Sequence, residues 1–221
     1  MKPSSIVAPS LLALISISLA CVAGACNNDP AKGKTQATVT SAAAPVTGAT
    51  PAAGAVNYAF SNDGSTIDFV GAKVSAKHEG SFKAFRGTIS VVGGDPTKST
   101  VNAEIDIASM AIEPAKLGGH LKSADFFDAE KFPKGKFTST AVKGGGENGA
   151  THTVSGNLEL HGVTKGITFP ARVKVEAEQV SVDAEFAINR KDFAIVYPGM
   201  PDDLIKDDVL IKLALHAKKV P

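Results

Sequence analysis

The chain has 221 residues, 43% of them hydrophobic and 20% charged, with a formal net charge of +1. That length allows one domain with extensions or two small domains, and the even charge balance excludes the clustered basic surface that nucleic acids require. Both cysteines, Cys21 and Cys26, lie near the N-terminus, so no disulfide or thiol nucleophile is available to a domain that follows them.

Met1-Lys2-Pro3 is a short positive start, and Ile6 to Ala20 is an apolar run of roughly signal-peptide length. Val22-Ala23-Gly24-Ala25 then lead to Cys26, and polar Asn27, Asn28 and Asp29 follow at once. This order resembles a bacterial lipoprotein signal, in which the cysteine is lipidated and becomes the mature N-terminus. Cys26 is the first choice for lipidation and Cys21, preceded by Ser18-Leu19-Ala20, the second. An ordinary secretory signal cleaved near Ala25 is the alternative. The apolar run falls short of the roughly 20 residues that span a bilayer. Residues 1–25 are therefore expected to be a signal peptide. The expected location is the periplasm, membrane-anchored, at the outer membrane before the inner.

Residues 26–55 are mostly Ala, Thr, Gly and Pro with few large apolar side chains. Such a composition buries too little surface to offset chain entropy, so a disordered tether is expected. As a coil it would span roughly 30 Å.

From Val56 the hydrophobic period becomes two, and 56–221 reads as one domain. Val101, Ala103, Ile105 and Ile107 alternate with polar residues, as do Val180, Val182, Ala184, Phe186 and Ile188, and Val209, Ile211, Leu213 and Leu215. That is the pattern of antiparallel strands with one face buried. Turn signals separate the runs at Asn62-Asp63-Gly64, Gly93-Gly94-Asp95-Pro96, Gly144-Gly145-Gly146 and Asn148-Gly149. About eight strands are expected, and closure into a barrel removes their exposed edges. The single helical segment is Pro114 to Ala124, weakened by Gly118-Gly119. The fold class is thus all-β, an extended eight-stranded antiparallel barrel with one short helical connection around 114–124. An interior of that size is either filled by side chains or holds one small ligand.

Gly119 to Phe137 carries four of the chain's eleven phenylalanines, Phe126, Phe127, Phe132 and Phe137. A chain without tryptophan that concentrates aromatics in a connection is expected to have built a plug or a pocket wall there. Catalytic signatures are sparse. The five histidines are scattered, no zinc spacing is present and no metal is expected. No nucleophile elbow occurs, and no glycine-rich phosphate cradle opens a helix. His120 with Asp125 or Asp128 would suit acid–base work, but a structural role is preferred. Arg190, followed by Phe193, Ile195 and Tyr197, is a candidate head-group contact. The alternative is an arginine that pairs with Asp192 or a carbonyl.

Four stretches together resemble the YceI-like family, periplasmic proteins known for binding polyisoprenoid lipids. They are GSFKAFRG (80–87), HLKSADFFD (120–128) with Phe132-Pro133 and Phe137, GNLELHGVT (156–164), and INRKDF (188–193) backed by IKDDVLI (205–211). Order and spacing match over about residues 57–218. The resemblance implies a lipocalin-like barrel whose apolar channel takes an isoprenoid chain, with the 119–137 stretch against one end. Two departures stand out. Gly118-Gly119 replaces an acidic residue expected before His-Leu, and Ala194 replaces a glycine expected after Asp-Phe.

On this reading the channel is lined by Phe82, Phe85, Leu121, Phe126, Phe127, Phe137, Phe186 and Phe193, with only one of Phe126 and Phe127 facing the ligand. A five-carbon isoprene unit offers about 4 kcal/mol gross when buried. Two to five units would overcome an association cost of roughly 4–15 kcal/mol. The expected function is non-catalytic binding, carriage or sequestration of a long-chain isoprenoid or similar apolar lipid in the cell envelope, with no cofactor. Expected partners are that lipid and the membrane, not nucleic acid, with a homodimer left open. The alternative is an envelope interaction or stress module with a filled barrel and a protein partner.

Overall fold

The computed structural model describes residues 29–43 and 54–221. In chain order the strands are β1 (Thr38–Ser41), β2 (Ala55–Ser61), β3 (Thr66–Ala72), β4 (Lys77–Phe82), β5 (Phe85–Val92), β6 (Asp95–Asp106), β7 (Met110–Ile112), β8 (Lys134–Gly144), β9 (His152–Leu160), β10 (Val163–Val175), β11 (Gln179–Asn189), the short ribbon β12 (Gly199–Met200) with β13 (Asp203–Leu204), and β14 (Asp208–Lys219). One α-helix, α1 (Ala115–Lys122), lies between β7 and β8.

Eight strands close on themselves in the order β2–β5–β6–β8–β9–β10–β11–β14 and back to β2, every pair antiparallel. This is the barrel that the period-two pattern implies, and the apolar phase of each strand points inward. Two buried clusters lie along its interior, one around Phe169, Phe186 and Ile188 and one around Phe60, Ile89 and Leu215. Val173, Val182 and Leu213 touch both and form the waist between them. Gly93-Gly94 joins β5 to β6 with both φ angles positive, at 62° and 72°, as a two-residue type I′ turn requires. His161-Gly162 does the same between β9 and β10, at 50° and 72°, a turn absent from the sequence expectations.

The barrel flares at one end. β14 meets β2 only through Lys218 and Lys219, whereas Leu210–Ala214 pair with β3, which carries β4 and then β7. Helix α1 covers this flare. It has eight residues, two glycines and no side-chain N-cap, too little to be stable alone. Leu117, Leu121 and Phe127 hold it by packing against Phe69, Met110 and Ile112.

Part of the expected tether is not structureless. Within 26–55, residues Thr38–Ser41 form β1 and pair with Lys165–Thr168 of β10, while Ala31 and Ala37 are buried. Composition misses this because the segment gains its stability from backbone bonds to an open strand edge rather than from large apolar side chains. The expected signal peptide and both cysteines lie outside the described residues.

Three glycines let aromatic rings lie flat on the wall. A Cβ at Gly80 would come within 2.3 Å of the Phe69 ring, at Gly87 within 2.2 Å of Phe60, and at Gly156 within 2.3 Å of Phe137. Gly80→Ala is expected to cost about 1–3 kcal/mol by forcing Phe69 off its seat. Thermal unfolding then shifts down by roughly 2–4 °C per kcal/mol; an unchanged Tm would show that the ring lifts freely.

Candidate functional site

The barrel encloses a cavity of about 200 Å³. Seven of the eleven phenylalanines line it (Phe60, Phe69, Phe82, Phe127, Phe137, Phe169 and Phe186), and the other lining residues are almost all aliphatic. Ser99 and Arg190 are the polar side chains along it. Val101, Leu158, Val182 and Leu213 point inward yet are only half-buried, because they face this open bore. The Phe169 and Phe186 rings stack at 4.2 Å between centroids, 14° from parallel, and Phe137 joins them at 5.9 Å.

A second pocket of about 520 Å³ adjoins the first at the flared end. Phe69, Phe127, Arg190, Ile195 and Val209 line both, so the two lie back to back. The outer pocket mixes apolar groups from α1 (Leu117, Leu121) with His78, His120, Tyr197, Lys73 and Asp203. His120 Nε2 lies 3.1 Å from Asp125 Oδ2, and its ring meets Phe126 and Tyr197 edge-on, each at 5.1 Å. Asp203 is held below the usual carboxylate range, first by the hydrogen bond from Lys73 and then by Ser75. That clamp ties the β12–β13 ribbon to the chain after β3.

Phe82, Phe127, Phe137 and Phe186 line the inner cavity, and Leu121, Phe126 and Phe127 line the outer pocket. Phe126 and Phe127 do part company. Phe127 reaches the inner bore, whereas Phe126 packs with His120 and Tyr197. Two expected lining residues touch neither space. Phe85 is sealed in the core around Ile89, and Phe193 is fully buried at the end of a 3-10 turn spanning Arg190–Phe193. Aromatic type suggested them, but Phe193 sits in a 3-10 turn off the strands, and Phe85, although on the inward phase of β5, is enclosed by core packing. Phe60, Phe69 and Phe169 were missed. Their signal was present, since all three sit on the apolar phase of their strands.

Arg190 is not available to a head group. It is only 5% exposed. Its Nε donates to Lys206 O at 3.1 Å, Nη1 to Ile195 O at 2.7 Å, and Nη2 to Asp207 Oδ1 at 3.1 Å. Burial pulls its pKa below the ordinary arginine value, against the opposing pull of Asp207. The side chain therefore staples the loops on either side of the outer pocket. Ala194, where glycine was expected, still adopts the left-handed conformation, φ 58° and ψ 21°, and caps that 3-10 turn. Among the described residues no group of three or more His, Cys, Asp or Glu side chains is placed to hold a metal ion.

The sequence model of the YceI-like domain family matches residues 58–217. A UPF0312 protein of Pseudomonas putida (strain W619) is 36% identical over 139 residues, 60% of this chain and 71% of its own length. A UPF0312 protein of Pseudomonas savastanoi pv. phaseolicola (strain 1448A / Race 6) is 34% identical over 165 residues, 70% of this chain and 84% of its own. Among solved structures, Burkholderia cenocepacia BcnA superposes with a TM-score of 0.62 at 24% identity, covering 71% of this chain and 98% of that one. A polyisoprenoid binding domain from Saccharophagus degradans, implicated in plant cell wall breakdown, gives 0.58 at 15% identity, covering 75% and 99%. At those identities the structural likeness carries the fold alone.

Proposed function

The chain belongs to the YceI-like domain family, and on that premise we propose that it binds and carries a long-chain isoprenoid or similar apolar lipid in the cell envelope without catalysing a reaction on it. The observation that carries this reading is the carbon-lined bore of about 200 Å³ running through a closed barrel. A bore with two polar side chains along it recognises a tail by excluding water, not by hydrogen bonding. Each buried isoprene unit contributes about 4 kcal/mol gross, so a few units suffice against the cost of association. The outer pocket, with His120, Tyr197 and Lys73, suits the more polar end of such a molecule. The polyisoprenoid-binding description of the Saccharophagus degradans neighbour supports the same ligand class. A filled barrel with a protein partner is the competing reading, and the open bore weighs against it.

We place the protein in the periplasm, anchored through Cys26. Docking of residues 29–43 then leaves two residues, Asn27 and Asn28, between the anchor and the docked segment. The stretch from Cys26 to Asp29 would reach at most about 10 Å, which would keep the barrel at the membrane surface instead of on a long tether.

Native mass spectrometry of protein purified from its own host is expected to show a co-purifying lipid whose masses step by isoprene units. If native and delipidated protein both fail to bind a long-chain isoprenoid, the proposal is lost.

A further inference from the structure

The barrel wall has a seam. β10 pairs with β11 only through Arg172–Val175 and Val180–Asp183, and beyond that the two strands part. Residues 34–43 fill the gap. On one side β1 runs antiparallel to Lys165–Thr168 of β10. On the other, Ala37 N donates to Ala187 O at 2.8 Å, and Ala187 N donates to Thr35 O at 2.9 Å, bridging to β11. The ends are pinned by the Lys34–Glu185 ion pair, by Asn148 Nδ2 donating to Thr35 Oγ1 at 2.8 Å, and by Asn157 bonding both ways with Ala43. Ala37 and Val39 point inward and pack on Ile167, Phe169, Phe186 and Ile188, which line the inner cavity. The segment thus backs the cavity wall, sealing the seam behind residues that line the cavity, although it lies outside the residues that the family model matches.

Its hold is slight compared with the strands it joins. It offers four register pairs and one bridge, against the eleven register pairs between β11 and β14. Its outward residues are exposed, and Ala37 is its one buried side chain. Segments with few buried apolar groups and exposed backbone bonds open most easily.

We propose that residues 35–41 are a removable panel sealing the seam behind the cavity wall, and that their displacement opens a side entrance between β10 and β11 through which an apolar tail enters and leaves. The inference rests on the proposed lipid-binding function. The panel leaves the rest of the barrel closed when it moves, because β9 and β14 hold β10 and β11 from their other sides.

Two variants test it in full-length protein with Cys21 and Cys26 changed to Ser. Thr38 and Thr168 are register partners on the outer face, within the Cα separation that a disulfide spans. With Thr38→Cys and Thr168→Cys, oxidation is expected to slow uptake and release of the fluorescent apolar probe N-phenyl-1-naphthylamine at least tenfold, and reduction to restore both. Gly166→Val acts the opposite way, because a side chain there meets Thr40 Oγ1 at 2.5 Å and Ser41 O at 2.9 Å. It is expected to raise hydrogen exchange at the Ala187 amide and speed both rates, with affinity changing less than the rates. Equal rates in the oxidised and reduced protein would overturn the side entrance. A parent protein that binds neither the probe nor a long-chain isoprenoid would instead overturn the binding function itself.

Discussion

Val182→Trp is expected to cost the protein at least a hundredfold in affinity for a long-chain isoprenoid while leaving it folded. Val182 sits at the waist of the bore, touching both interior clusters, and is half-buried because it faces open space. An indole there occupies the volume that a tail would fill. Overpacking costs about 1–3 kcal/mol. Excluding one isoprene unit removes about 4 kcal/mol gross, nearly three decades at roughly 1.4 kcal/mol each. The chain has no tryptophan, so the new indole reports its own placement by a blue-shifted emission. A titration with short and long isoprenoids checks the result, with the long ones losing more. Unchanged affinity alongside a blue-shifted indole would show that the ligand does not occupy the inner bore.

Arg190→Ala is expected to act on stability rather than on ligand choice. The loss of the ion pair adds little, because Asp207 is 40% exposed and keeps Lys191; the larger cost, about 1–3 kcal/mol for each buried acceptor left unpaired, falls on backbone carbonyls. The substitution strips donors from the carbonyls of Ile195 and Lys206. Thermal unfolding is expected to fall by roughly 4–24 °C. Arg190→Lys recovers little of this, because an ammonium cannot reproduce the guanidinium fork. A head-group role predicts the reverse, with Tm unchanged and discrimination between phosphorylated and uncharged isoprenoids lost. Differential scanning calorimetry and paired binding titrations separate the two.

Much of the architecture was legible because its signals are local. The alternation in Val180–Ile188 and Val209–Leu215 names both the strand and its inward face. The glycine pairs and the Asn-Gly step mark turns because few other residues adopt positive φ. The 114–124 segment was readable as helical, although its eight observed residues depend on packing from β3 and β7. The site was less legible. Phe126 and Phe127 are neighbours of the same type, and nothing in their local sequence says which one reaches the bore. For Arg190, adjacency to aromatics suggested a rim contact. Its partners Lys206 and Asp207 are more than a dozen residues away, and only the returning loop brings them within reach.

The 29–43 segment marks the boundary most clearly. By itself the sequence determined a closed antiparallel barrel with an apolar interior, since side-chain phase along a strand is a property of neighbouring residues. Only the tertiary structure decided that β10 and β11 part company and leave an open edge, and that Thr35–Ser41 fill it. Backbone hydrogen bonds across such an edge are nearly indifferent to side-chain identity, so Ala, Thr and Ser there look the same docked or free. The missing information is the shape of the gap, set by strands more than a hundred residues away.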